Sequence, residues 1–485
     1  MHSLKLDWPK LALIAILLFS YSTRIWRLSF PPEYYFDEVY HAFTAEAYSR
    51  NDPKGYEWWH QAPDGVAYEW LHPPVAKLFQ GFSIKILGNT SFAWRLPSAL
   101  FGTLVIGAIY QLGRVLSKDR KAGLLAALIA SFEGLLLVQS RIAMNDIFVT
   151  FFILLACVFH WKYLTSKKSN LATRYLLLAG LAAGFAMASK WSGVFVLLIF
   201  GLSELLLFAT NKKFSKFKRL MGVVFVFEVI PAIILGLLLK NMLFLTKGEH
   251  LEILTLGSSL LILEMFLGFW ALGYKKFTVL FVSLVVLPIT VYVASFGQFW
   301  LQLRTNNLLT FRDLHHQIWW YQTHLEAHHP WESRPQQWML NLKPVWYHVD
   351  YEEKRAGNIF ALANPSISWL GLLSMMALTL WGTYKRKWQY LYLFVAYVSV
   401  WTPWFASPRI MFFYHYTPAM ALLSVSLGLA CWELLQTKAV VGRILAVAII
   451  MISASLFVYF YPFWTGFKIP IEWINQYYWF PSWKP

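Results

Sequence analysis

The chain has 485 residues, of which 58% are hydrophobic and only 14% charged, with a mean hydropathy of +0.48. Soluble domains carry roughly a quarter charged residues, so the composition excludes a soluble globular protein. Lys plus Arg (42) exceed Asp plus Glu (25) for a net charge of +17, but the basic residues sit in short gaps between apolar runs, which is the signature of membrane orientation and not of nucleic-acid binding.

A bilayer core needs about 20 apolar residues per helix. Such runs lie near residues 9–28, 93–113, 121–139, 143–163, 174–188, 191–209, 220–244, 251–272, 277–298, 366–383, 388–405, 409–433 and 442–463. They predict an all-α integral membrane protein, one multi-pass domain over residues 1–485 with about 11 to 13 spanning helices. The first run follows Lys5 and Lys10 but lacks a signal-peptide cleavage pattern, so it reads as a retained span. Cys157 and Cys431 fall inside apolar runs, which argues against a disulfide framework or a thiolate metal site.

The gaps alternate in character. Basic clusters at Lys5 and Lys10, 114–121, 162–174, 212–219, Lys275 and Lys276, 385–387, and Lys438 with Arg443 all fall on one parity, which the positive-inside rule assigns to the cytoplasm together with the N-terminus. The other parity holds residues 30–92, 139–146, Ser189 with Lys190, 240–250, 299–365, 405–409 and the C-terminal tail. Within 30–92, residues 36–50 have helical spacing. After Pro73 and Pro74, residues 75–87 form a basic amphipathic stretch suited to the interface.

Chemistry gathers in the external gaps. Asp37 and Glu38 stand just beyond Arg24 and Arg27 at the mouth of the first span. A carboxylate partly desolvated at a membrane edge makes a general base; the alternative is a helix N-cap Asp followed by a first-turn Glu. His72-Pro73-Pro74 leads to Lys77, whose ammonium either contacts a phosphate or snorkels. Arg95, Arg141 with Asp146, and Lys190 add cations on the side where few are expected, and Arg suits phosphate recognition. Arg95, Arg141 and Arg409 are therefore expected to converge on one pocket near Lys77 or His415, against bland readings of Arg95 as a headgroup anchor and of Arg141 with Asp146 as a structural pair. Arg334, in Trp331-Glu332-Ser333-Arg334-Pro335, completes the substrate-binding candidates. His315, His316, His324, His328 and His329 lack the fixed spacing of a zinc motif, so no metal is indicated.

In this order the pieces resemble the protein O-mannosyltransferases, membrane glycosyltransferases of the GT-C class that use a polyprenyl-phosphate sugar. The resemblance runs over residues 21–420. It rests on Phe36-Asp37-Glu38, His72-Pro73-Pro74 with Lys77, Arg95 with Pro97, Gln139-Ser140-Arg141 with Asp146, Lys190-Trp191 with Gly193, Glu332-Ser333-Arg334-Pro335 with Trp338, and His415-Tyr416 with Pro418. It implies a GT-C helical bundle that moves mannose, with inversion, from a polyprenyl-phosphate donor to Ser or Thr hydroxyls of a translocated polypeptide. It also implies Asp37 as catalytic base with Glu38 beside it, and no required cofactor. The 299–365 loop is too short for the large insertion of eukaryotic members, which resembles a bacterial or archaeal member and implies a prokaryotic plasma membrane.

The nearest rival is a transferase of the same class with another sugar, or with a lipid or glycan acceptor. An oligosaccharyltransferase fits less well, because Trp319-Trp320-Tyr321-Gln322 lacks the acid of a Trp-Trp-Asp-Tyr-Gly signature. A secondary transporter keeps ionisable groups near the bilayer midplane, whereas here the candidate groups gather at one face and Glu133, Glu204, Glu228 and Glu264 are the few acids inside the runs.

Overall fold

The computed structural model describes residues 7–209, 274–302 and 308–485. The basic cluster at 212–219 and the apolar runs 220–244 and 251–272 lie outside them. Every other apolar run is helical, and seven of the described helices are long and apolar enough to cross a membrane.

Local signals set the early elements. Helix α1 (Trp8–Ile25) begins with proline in its first turn. Two surface helices follow, α2 (Glu38–Ser49) and α3 (Val75–Leu87), both close to the expected bounds. Helix α3 stops at Gly88, whose φ of +83° is a conformation that L side chains rarely adopt. Helix α4 (Ser91–Ser117) is capped by Thr90, whose hydroxyl accepts from Ala93 N at 3.3 Å, and α5 (Arg120–Ser131) by Asp119, which accepts from Lys121 N at 2.7 Å.

The apolar run 121–139 is not one helix. Glu133 caps a new one, α6 (Gly134–Gln139), by accepting from Leu136 N at 2.6 Å, and its other oxygen accepts from Asn364 N at 3.1 Å ahead of the helix Pro365–Lys385. The chain continues through α7 (Asp146–Thr165), α8 (Ser169–Ser189), a tight turn at Trp191–Val194, and α9 (Phe195–Ala209). Beyond it come Phe277–Ser295, Leu308–His324, Trp388–Trp401, Thr417–Gln436 and Val440–Thr465. Helix Thr417–Gln436 is buried on every side through Leu429 and packs on α4, α5 and α7, which makes it the centre of the bundle.

A small antiparallel sheet is the part that helical periodicity did not announce. Strands β1 (Val345–Glu352) and β2 (Arg355–Ala361) form a hairpin, and β3 (Ile469–Pro470) adds two residues to β2. The register slips between Trp346 and His348, leaving Tyr347 unpaired in a bulge. A bulge re-aims its side chain, and here the Tyr347 ring stacks on Phe36 at 4.1 Å.

Candidate active site

Asp37 begins α2, and its side chain makes no capping bond to the helix. Asp37 does occupy the N-cap position with Glu38 in the first turn, as the alternative reading had it, but its carboxylate does no capping there. Among the described residues its carboxylate has one hydrogen bond, from the Tyr414 hydroxyl to Oδ2 at 3.4 Å, long for an O–H donor. Burial pushes the Asp37 carboxyl up to about 7; the Lys190 ammonium and Tyr414 oppose that shift, while Asp146 and Glu69 add to it. This suits a group that takes a proton near neutral pH.

Glu38 is fully buried and fully used. Its Oε1 accepts from Arg95 Nε at 2.8 Å and Ala143 N at 2.9 Å, and its Oε2 from Arg95 Nη2 at 2.7 Å and Tyr35 N at 3.3 Å. Arg95 gives its remaining donors to the carbonyls of Leu28 (3.1 Å), Pro31 (2.7 Å) and Glu33 (3.0 Å). All five guanidinium N–H groups are then committed, so Arg95 has none left for a phosphate.

Arg141 also turns to the backbone. It donates to the carbonyls of Thr23, Arg24, Trp26 and Arg27 at 2.7 to 3.3 Å, and so caps the C-terminal end of α1 where carbonyls lack helical partners. The expected phosphate cluster of Arg95, Arg141 and Arg409 is accordingly not what forms. Two of these arginines fasten the loop after α1, because that buried turn presents more carbonyls than its own backbone can satisfy. Asp146 does not pair with Arg141 either: its Oδ1 accepts from Lys190 Nζ at 2.8 Å.

The position of Lys190 follows from Gly193. A Cβ at Gly193 would lie 2.2 Å from the Ala186 carbonyl carbon, so only glycine lets the turn after α8 fold back onto that helix. Lys190 ends 5.3 Å from the centre of the Tyr414 ring, between Asp146 and the Asp37 side of the pocket. Asp146 Oδ2 and both amide atoms of the neighbouring Asn145 are buried without a partner among the described residues. Arg409 donates to Gln322 on helix Leu308–His324 and keeps its Nε without a partner among the described residues. It remains the arginine suited to a phosphate.

His415 is buried in an aromatic wall, with Trp404 at 4.4 Å, Tyr414 at 4.7 Å and Trp338 at 6.1 Å between ring centres, while its Nδ1 faces the Phe412 carbonyl at 3.1 Å. Arg334 is exposed. Its backbone N–H donates to Gln337 Oε1 at 2.8 Å, and Trp338 Nε1 to Ser333 Oγ at 2.8 Å. Ser333 N in turn bonds the Met411 carbonyl at 2.8 Å, so this motif holds the segment that carries Tyr414.

His72 and Lys77 meet through a residue the sequence reading passed over, Glu69. The carboxylate of Glu69 bonds His72 Nδ1 at 2.6 Å, pairs with Lys77, and lies 3.6 Å from His41 Nδ1. Burial would raise the Glu69 carboxyl, but Lys77 and the two histidines hold it well below the usual range. Burial pulls His41 down to about 3, leaving it neutral. The donor atoms of His41, Glu69 and His72 lie within 4.8 Å of one another, as metal ligands would, but the Lys77 ammonium already supplies the cation. The five histidines of the 315–329 stretch are dispersed: His315 bonds Tyr292, His324 stacks on Trp320, and His328 is exposed. Tyr414 and Tyr347, which receives a bond from Gln139 Nε2 at 2.7 Å, were also missed, since aromatic residues in so aromatic a chain carry no distinguishing signal.

The profile of the family described as dolichyl-phosphate-mannose-protein mannosyltransferase matches residues 14–302, and that of the C-terminal four-span region of protein O-mannosyltransferases matches 308–483. The chain belongs to this mannosyltransferase family. It is 26% identical over 469 residues to the polyprenol-phosphate-mannose–protein mannosyltransferase of Corynebacterium glutamicum, covering 85% of this chain and 81% of the relative. With that of Mycobacterium tuberculosis it shares 23% identity over 485 residues, covering 88% and 83%. The fold is that of the S. cerevisiae protein O-mannosyltransferase Pmt1-Pmt2 complex bound to the sugar donor, with a TM-score of 0.71 at 14% identity over 100% of this chain and 93% of that one. ArnT from Cupriavidus metallidurans, at a TM-score of 0.53 and 12% identity over 95% and 76%, shares the architecture more distantly. The mannosyltransferase family and the spanning helices make this a multi-pass membrane glycosyltransferase of GT-C architecture.

Proposed function

We propose that this chain transfers mannose from a polyprenyl-phosphate-mannose to a Ser or Thr hydroxyl of a translocated polypeptide, by one displacement that inverts the anomeric carbon. The hydroxyl oxygen forms the new bond to that carbon, the bond from carbon to phosphate oxygen breaks, and the proton passes to Asp37. The departing polyprenyl phosphate carries the released charge. Arg409, with a free Nε, and Lys190, beside Asp37, are the cations placed to offset it in a pocket of low dielectric. The unpartnered Asn145 amide and Asp146 Oδ2 are polar capacity of the kind sugar hydroxyls satisfy.

The observation that carries the reading is the state of Asp37: a half-buried carboxylate with a single long hydrogen bond, shifted to about 7, among residues of a mannosyltransferase family. The site lies on the outer face of a prokaryotic plasma membrane, opposite the basic clusters, and the chemistry needs no metal. Purified protein incubated with polyprenyl-phosphate-mannose and a Ser/Thr peptide should give a peptide heavier by one hexose in mass spectrometry. Modification of a lipid or glycan in the same mixture, with the peptide untouched, would contradict the assigned acceptor.

A further inference from the structure

Among the described residues a group of cations gathers far from Asp37, at the other end of α4. Arg95 marks the end of that helix at the active site; Arg114 lies about 28 Å along it at 1.5 Å per residue, at the opposite membrane face. Arg114 stands in the last turn of α4, and Lys118 follows as its C-cap residue. Together with Gln111, Val115, Arg120 and Lys162 they line a single cavity of about 340 Å³. Trp161 Nε1 donates to the Val115 carbonyl at 3.1 Å and holds α7 against α4 at this level. The Lys162 ammonium stands 5.7 Å and 5.4 Å from the ring centres of Phe159 and Tyr175.

Among the described residues, carboxylates neutralise only one member of the group. Arg120 meets Asp7 at 3.1 Å, and Asp119 is turned to the backbone of Lys121. Arg114, Lys118 and Lys162 have no acidic partner among the described residues. Membrane orientation requires cations on this face, but it does not require that they converge. Like charges round a shared cavity between helices repel one another unless an anion sits among them. The cavity lies where spanning helices end, at headgroup depth, and basic pockets at that depth suit lipid phosphates.

We propose that this cavity binds the phosphate of an anionic phospholipid headgroup, held by Arg114, Lys118 and Lys162 with the Gln111 amide as a further donor. The site is independent of the transfer chemistry. It is tested by titrating delipidated full-length protein with phosphatidylglycerol or phosphatidylcholine and reading retained lipid by native mass spectrometry. Phosphatidylglycerol should be retained and phosphatidylcholine lost. The pair Arg114→Gln and Lys162→Gln should weaken retention roughly tenfold or more, the pair Arg114→Lys and Lys162→Arg should keep it, and transfer in detergent should be unchanged in both. Should the Gln pair fail to fold, Lys118→Gln is read instead, with a several-fold loss expected. Equal retention of the two lipids, or unchanged affinity in the folded neutral variants, overturns the site. Inorganic phosphate that binds and displaces phosphatidylglycerol at equal concentration makes it a free-anion site and overturns the lipid assignment.

Discussion

Glu38 accepts four hydrogen bonds, two of them from one arginine, in a fully buried pocket. Asp37, one residue earlier, accepts a single long one among the described residues, from Tyr414. The two carboxylates differ in what their surroundings leave undone. Around Glu38 every donor is matched, so its charge is compensated and fixed, and its work is to fasten Arg95 and the loop after α1. Around Asp37 burial is only partly compensated, which leaves a carboxyl near 7. Saturation of hydrogen bonds is what distinguishes these two adjacent acids.

That contrast can be broken by exchanging each acid for its amide. Asp37→Asn should lower transfer by about 100- to 10,000-fold while leaving donor affinity and thermal unfolding nearly unchanged, because no capping bond is lost. Donor titration and calorimetry check both halves. Glu38→Gln should do the reverse. Leaving Arg95 buried without its counter-charge costs about 3 to 5 kcal/mol, seen as a lower Tm and yield, whereas protein that does fold should retain measurable transfer.

Two smaller changes sharpen the comparison. Arg409→Gln removes a charged donor to the leaving phosphate and should raise the donor Kd by about tenfold, with the pH dependence of the rate unmoved. Tyr414→Phe removes a hydrogen bond that favours the Asp37 carboxylate over its acid form, so the apparent pKa of the rate should rise. The loss should be a few-fold near pH 6 and should vanish at higher pH.

Much of this was legible in the sequence. Apolar runs and alternating basic gaps placed the helices, the prolines before Val75 and the amphipathic pattern after them placed α3, and the order of polar motifs singled out Asp37, Lys190 and Arg409 as candidates. The roles of Arg95 and Arg141 were not legible, since a guanidinium that binds phosphate and one that binds backbone carbonyls have the same spacing along a helix. Which it meets is decided by how the turn after α1 points its carbonyls. Glu69 left a faint trace, three residues before His72 and eight before Lys77, but only the fold of the loop brings all three to one point. The β1 bulge at Tyr347 left none, because the slip in register depends on the partner strand.

The central claim is that Asp37 takes the proton. Single-turnover transfer measured between about pH 5.5 and 8.5, for the wild type and for Asp37→Asn, tests it most directly. Because burial holds the Asp37 carboxyl up near 7, only its deprotonated form can act, so the wild-type rate should climb with pH and level off above an apparent pKa of about 7. The variant should be slow and flat across the range. A wild-type rate that stays level through pH 7, or an Asp37→Asn variant that keeps the same rising limb, would contradict the account.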